Sequence, residues 1–133
     1  MATLHFELVA PERILFSGDV EAVMLPGTEG DMTVLPGHAP VMAMLKTGFV
    51  QITDHKDEGH RVLIRGGFAE INQEAVTVLA ENATPVEEVT PESIAKEIER
   101  LELRRDATED FKAQGDLSAA IAQLHEAREA LKF

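Results

Sequence analysis

The hydrophobic period changes once along the chain, close to Ala80, and that change demands two unlike halves. Leu4, Phe6 and Leu8 alternate with His5 and Glu7, a period of two that marks a half-buried strand. Val20, Ala22 and Met24 repeat the pattern. Short apolar runs follow at 32–35, 41–45, 49–52, 62–64, 68–71 and 76–79. Turn residues separate the runs: Ser17-Gly18, Thr47-Gly48, Asp57-Glu58-Gly59, Gly66-Gly67 and Asn72-Gln73. Runs this short, with no helical pattern between them, predict an antiparallel β-sandwich or barrel of roughly nine or ten strands. Residues 25–40 carry two Pro-Gly pairs and Gly30. Each Pro presets φ and each Gly opens turn conformations, so a tight pair of exposed loops is expected there.

After Ala80 the pattern becomes helical. Residues 82–89, with Pro85 and the Glu87-Glu88 pair, read as a linker. Thr90-Pro91-Glu92 then opens a helix: Thr90 as N-cap, Pro91 at the first helical position, Glu92 near the positive end of the dipole. Ile94, Ile98 and Leu101 form a stripe, with Ala95 beside it and Phe111 further along; Glu92 and Lys96 pair at i, i+4 on the outer face. Gly115 is placed to end this helix and Asp116 to cap a second, whose stripe is Leu117, Ile121, Leu124 and Leu131. The reading is an α+β chain: a sandwich domain over residues 1–84 and an antiparallel two-helix hairpin over 85–133. Each helix would be about 30 Å long. Such a hairpin buries little area alone, so docking on the sandwich or on a partner is expected.

Composition narrows function. Apolar residues make up 44% of 133, enough for a packed core. There is no Cys, which rules out a disulfide framework or thiolate metal site. The longest apolar run, 41–45, is far short of the ~20 residues that span a bilayer. Met1 to Thr3 lead straight into a strand pattern with no basic leader, so a chain on the cytosolic side is expected. The net charge of −12 disfavours nucleic acid and anionic lipid as partners.

Catalytic patterns do not emerge. His5, His38, His55, His60 and His125 are scattered without HxH or HExxH spacing. Gly66-Gly67-Phe68 lacks phosphate-loop spacing and reads as a turn or bulge. Asp106, Glu109 and Asp110 lack EF-hand spacing and read as a solvated face. None of Ser17, Ser93 or Ser118 sits in a GxSxG elbow. No active site, metal site or cofactor is expected. His38 is kept as a candidate, either closing a turn or lying in a protein contact.

Several stretches together resemble the epsilon chain family of bacterial F-type ATP synthases. They are Pro11-Glu12-Arg13-Ile14-Leu15-Phe16-Ser17-Gly18, the punctuated loop from Pro26 to Pro40, Leu45-Lys46-Thr47-Gly48, Gly66-Gly67-Phe68-Ala69-Glu70 and Val76-Thr77-Val78-Leu79. Order, spacing and length agree over essentially the whole chain. The resemblance implies a non-catalytic central-stalk subunit, peripheral on the cytoplasmic face of the bacterial inner membrane. It implies a flattened sandwich followed by a helical hairpin, in a subunit that would couple the gamma subunit to the ring of c subunits during proton-driven ATP synthesis. It places Glu29, Gly30, Asp31 and His38 near the polar loops of the c ring, where Asp31 can pair with Arg.

Some family members bind ATP through Ile/Leu-Asp-x-x-Arg-Ala at the first helix. That motif falls on Val89-Thr90-Pro91-Glu92-Ser93-Ile94, where Thr90 and Ser93 replace the carboxylate and the guanidinium, so little or no ATP binding is expected. An ATP-sensing inhibitory regulator is the alternative. In inhibitory members the hairpin extends toward the alpha and beta subunits, with a basic second helix. Here residues 116–133 carry two basic residues, Arg128 and Lys132, and three acidic ones, Asp116, Glu126 and Glu129, so the segment is slightly acidic and a stalk-stabilising hairpin is expected instead.

Overall fold

In the computed structural model, which describes residues 3–54 and 60–132, the first half of the chain is a ten-stranded β-sandwich. The strands are β1 (Leu4–Ala10), β2 (Arg13–Val20), β3 (Ala22–Gly27), β4 (Gly30–Val34), β5 (Val41–Leu45), β6 (Gly48–Thr53), β7 (His60–Ile64), β8 (Gly67–Ile71), β9 (Ala75–Ala80) and β10 (Ala83–Pro85). They pair in the order β10-β7-β6-β3-β5-β8-β9-β1-β2, with β4 added to β3. The corner is in β3. Its first residues pair with β6, from Ala22↔Thr53 to Met24↔Gln51, whereas its last, Gly27, pairs with Leu45 of β5. One layer is therefore β10-β7-β6-β3-β4 and the other β5-β8-β9-β1-β2.

Alternation fills the space between the layers. Phe6, Leu8, Val76 and Val78 from one layer and Val23, Val50, Ile52 and Ile64 from the other are fully buried in a single cluster. Each contributes about 1.5–3 kcal/mol of apolar burial. One pairing departs from the antiparallel expectation: β1 runs parallel to β9, from His5↔Ala75 to Val9↔Leu79. A parallel pair cannot be closed by a tight turn, and here all the intervening strands serve as the crossover.

Two strands lie outside the apolar runs read from the sequence. β2 is an edge strand whose polar and apolar residues do not alternate cleanly, because the register with β1 shifts between Leu8 and Val9. β10 lies within the expected linker. Its three residues pair with β7, and Pro85 is tolerated because the strand is an edge. A 3-10 turn, Val86–Glu88, follows. Gly66-Gly67 is the turn into β8, as the sequence suggests. Gly67 sits at φ +141°, and a Cβ there would lie 2.4 Å from the Leu79 carbonyl oxygen. The expected turn at Asp57-Glu58-Gly59 and the candidate His55 fall outside the described residues.

The chain divides into two compact units, Met1–Glu87 and Glu88–Phe133. The second is a hairpin of α1 (Pro91–Ala107) and α2 (Phe111–Leu131), packed against one another. Thr90 caps α1 as its sequence predicts: the Thr90 hydroxyl accepts from the Ser93 N–H, and the Ser93 hydroxyl accepts from the Thr90 N–H, both at 3.0 Å. Ile94, Ile98 and Leu101 are buried on α1, and Ile121, Leu124 and Ala127 on α2.

The break between the helices is not at Gly115-Asp116, which lie inside α2. Asp110 caps α2 by accepting from Lys112 N–H at 3.3 Å, and the Gln114 amide donates to the Thr108 carbonyl at 2.8 Å. These local hydrogen bonds outcompete a Gly signal that a helix interior tolerates for about 1 kcal/mol. The early start also corrects Phe111. Ten residues before Ile121, it lies about 80° off the buried stripe, and it is 88% exposed.

Candidate functional site

The punctuated stretch at 25–40 becomes a hairpin and a return loop. β3 and β4 close on the pair Gly27↔Gly30 around a two-residue turn, Thr28-Glu29. Gly30 has φ +134°, and a Cβ on Gly27 would lie 2.6 Å from the Gly30 carbonyl oxygen, so the turn has no room for larger residues. Two backbone hydrogen bonds lash the turn to β5: Thr28 N–H to Met44 O at 3.0 Å, and Lys46 N–H to Pro26 O at 2.9 Å. Pro26 and Gly27 are buried, while Glu29, Gly30 and Asp31 are exposed. Two carboxylates are thus displayed at the end of a rigid ribbon.

His38 does not join them. Gly37 N–H donates to Gln73 O at 3.0 Å, in the β8–β9 turn, and His38 N–H to Leu35 O at 3.2 Å. The His38 imidazole donates from Nδ1 to the Ala39 carbonyl at 2.7 Å. β5 starts opposite Ile71 and ends opposite Gly67, so the acidic tip and His38 lie at opposite ends of β5. Residues adjacent in one sequence motif are separated in space.

Register brings together a third feature that no sequence motif announces. On the outward face of the β5-β8-β9-β1-β2 layer, Met44 stands opposite Phe68, Phe68 opposite Leu79, Leu79 opposite Val9, and Val9 opposite Ile14. This apolar row crosses five strands, roughly 19 Å at ordinary strand spacing. Ile14 is 67% exposed, Met44 62% and Leu79 41%. Single exposed apolar residues are ordinary, but a row aligned across a whole layer marks an interaction surface.

The rows beside it carry charge: Met42, Glu70, Thr77, Glu7 and Ser17 in one, and Ala75, His5 and Asp19 in the next. His5 lies 3.3 Å from Asp19 through Nδ1 and 3.2 Å from Glu7 through Nε2. The hydrogen bond to Glu7, then that to Asp19, raises the His5 pKa above its ordinary value.

The β-sandwich domain of the ATP synthase delta/epsilon chain family matches residues 3–86. The chain is 41% identical to the ATP synthase epsilon chain of Maricaulis maris, covering 96% of this chain and 95% of that one. The chain belongs to the ATP synthase epsilon chain family. It is also 44% identical to the epsilon chain of Parvibaculum lavamentivorans, over 71% of this chain and 72% of the relative. A chain of the Euglena gracilis mitochondrial ATP synthase, solved as OSCP/F1/c-ring, shares the fold with a TM-score of 0.77 at 24% identity, covering 98% of this chain and 81% of that one.

In this epsilon-family chain Thr90 and Ser93, the two positions compared above with a nucleotide motif, are engaged locally. Thr90 and Ser93 cap each other, and the Ser93 hydroxyl also donates to the Thr90 carbonyl at 2.8 Å. Among the described residues, no group of three or more His, Asp or Glu is placed to hold a metal ion. His60, at the start of β7, lies 3.7 Å from Asp54, just after β6, and His125 lies 2.9 Å from Arg128 on α2.

Proposed function

We propose that this chain is a non-catalytic rotor subunit of the F-type ATP synthase, joining the gamma subunit to the c ring on the cytoplasmic face of the bacterial inner membrane. The observation that carries the reading is the pairing of two different outward surfaces on one rigid sandwich. The acidic hairpin tip suits the polar, Arg-bearing loops of a c ring, and the apolar row suits a permanent partner such as gamma. The rigidity of a twice-lashed hairpin suits a joint that carries torque. Among the described residues, no helix is long and apolar enough to cross a membrane.

In this reading the c-ring contact centres on Glu29, Gly30 and Asp31. His38, at the far end of β5, reaches a different c loop from the one that meets the tip. ATP is bound weakly or not at all, because Thr90 and Ser93 offer neither a carboxylate nor a guanidinium and already satisfy each other. The hairpin stabilises the stalk rather than blocking hydrolysis.

The test is Asp31→Arg in the assembled complex. Loss of proton-driven ATP synthesis and of c-ring attachment, with hydrolysis by the detached head retained, is expected. Unaltered coupling would overturn the assignment of the tip. Removing residues 90–133 separates the roles of the hairpin: a large rise in hydrolysis would show inhibition instead of support. A clear rise in Tm with millimolar Mg-ATP would favour the ATP-sensing alternative.

A further inference from the structure

Sulfur in this chain is all thioether: five Met and no Cys. Three of the five gather at one place. Met32 of β4 and Met42 and Met44 of β5 line an open depression of about 390 Å³ beside residues 27–30. Met42 and Met44 are 61% and 62% exposed, whereas Met24 is 38% exposed and Met32 is partly buried against the core. Met44 ends the apolar row, and Met42 stands beside it opposite Glu70. Met44 is also the residue whose carbonyl holds Thr28 of the acidic hairpin. Unbranched, polarisable side chains suit an adaptable contact, but a thioether in open solvent is also the group in this chain most readily oxidised by peroxide.

We propose that Met42 and Met44 form an oxidation-sensitive site that governs docking of the free chain onto gamma. The inference rests on the docking reading given above. A sulfur lone pair attacks one oxygen of hydrogen peroxide; the S–O bond forms as the O–O bond breaks, and the proton on the transferred oxygen passes to the departing hydroxide, which leaves as water. Sulfur is oxidised by two electrons, peroxide is reduced, and the product is methionine sulfoxide. The sulfoxide oxygen is a strong acceptor placed at the end of an apolar row, where docking would strip its water without supplying a donor. Oxidation therefore acts on chain awaiting assembly. Once gamma covers the row, the same two thioethers are protected.

The experiment uses the full chain and purified gamma. The chain is treated with hydrogen peroxide, the oxidised positions are assigned by peptide mass spectrometry, and affinity for gamma is titrated. Met42 and Met44 should oxidise ahead of Met24 and Met32, and affinity should fall about tenfold or more, as expected from losing one buried apolar side chain. Methionine sulfoxide reductases should restore it, and bound gamma should slow oxidation at both positions. The near-isosteric double variant Met42→Leu with Met44→Leu should bind like the reduced chain and resist peroxide; Met44→Leu alone should keep most of that resistance. Affinity unchanged by oxidation overturns the proposal, as does equal loss in the double variant or a parallel drop in Tm that traces the loss to unfolding. Failure of the reduced chain to bind gamma overturns the docking reading itself, and this proposal with it.

Discussion

The sandwich and the helical hairpin are held by different means. In the sandwich, two layers share one core, and the backbone passes so close to itself at Gly67 that side chains are excluded. In the hairpin, three buried residues on each helix face the interior, and hydrogen-bonded caps set the ends. A structure built from interlocked strands should fail as a whole when one core residue is cut, whereas a hairpin should lose stability in small increments.

The largest test of that contrast is Phe6→Ala. Phe6 is fully buried and its ring centroid lies 5.7 Å from that of Phe16. Truncation should cost about 3–5 kcal/mol, read as collapse of the first 87 residues in a chemical-denaturation curve. The next is Gly67→Ala, which combines a positive φ with a clash against the Leu79 carbonyl and should cost about 1–3 kcal/mol; retention of full stability would mean that the β8–β9 approach is softer than described. In the hairpin, Thr90→Ala removes one arm of the capping box and should cost about 1 kcal/mol, seen as a lower helix melting temperature by circular dichroism. Gly115→Ala should act in the opposite direction. A Cβ there meets nothing within 4 Å, and the helix interior should gain about 0.5–1 kcal/mol. A loss instead would restore Gly115 as a break between helices.

The smallest effect is a pH dependence. The folded-state pKa of His5 lies above 6.5, so its contribution is fully present below 6.5 and is lost as pH rises through the folded value. An NMR titration of the His5 ring should give a midpoint above 6.5, and His5→Ala should remove that share of the alkaline slope in stability. A midpoint at or below 6.5 would mean that Glu7 and Asp19 do not hold the ring.

Much of this architecture is legible in the sequence, because most strands alternate and the cap of α1 is written in consecutive residues, Thr90-Pro91. What escapes local reading is non-local. The strand β2 is hidden by a register shift, and β10 is too short to show a period. The parallel partnership of β1 and β9 joins residues some seventy positions apart. The second helix is started by Asp110 and a Gln114 side chain rather than by the more obvious Gly115. The site divides in the same way. Glu29, Gly30 and Asp31 can be read as an exposed turn, but only strand order separates them from His38. The apolar row exists only once five strands are in register, since its members come from five separate segments.

The central claim is that this chain acts through its outward sheet face, and one measurement addresses it directly: size-exclusion chromatography with light scattering of the chain mixed with purified gamma, alongside Leu79→Glu. Leu79 points outward from the middle of the row, so the variant should fold normally. The account predicts a one-to-one complex for the natural chain at micromolar concentration and its loss in Leu79→Glu. No complex, or a complex indifferent to a charge in the row, would contradict it.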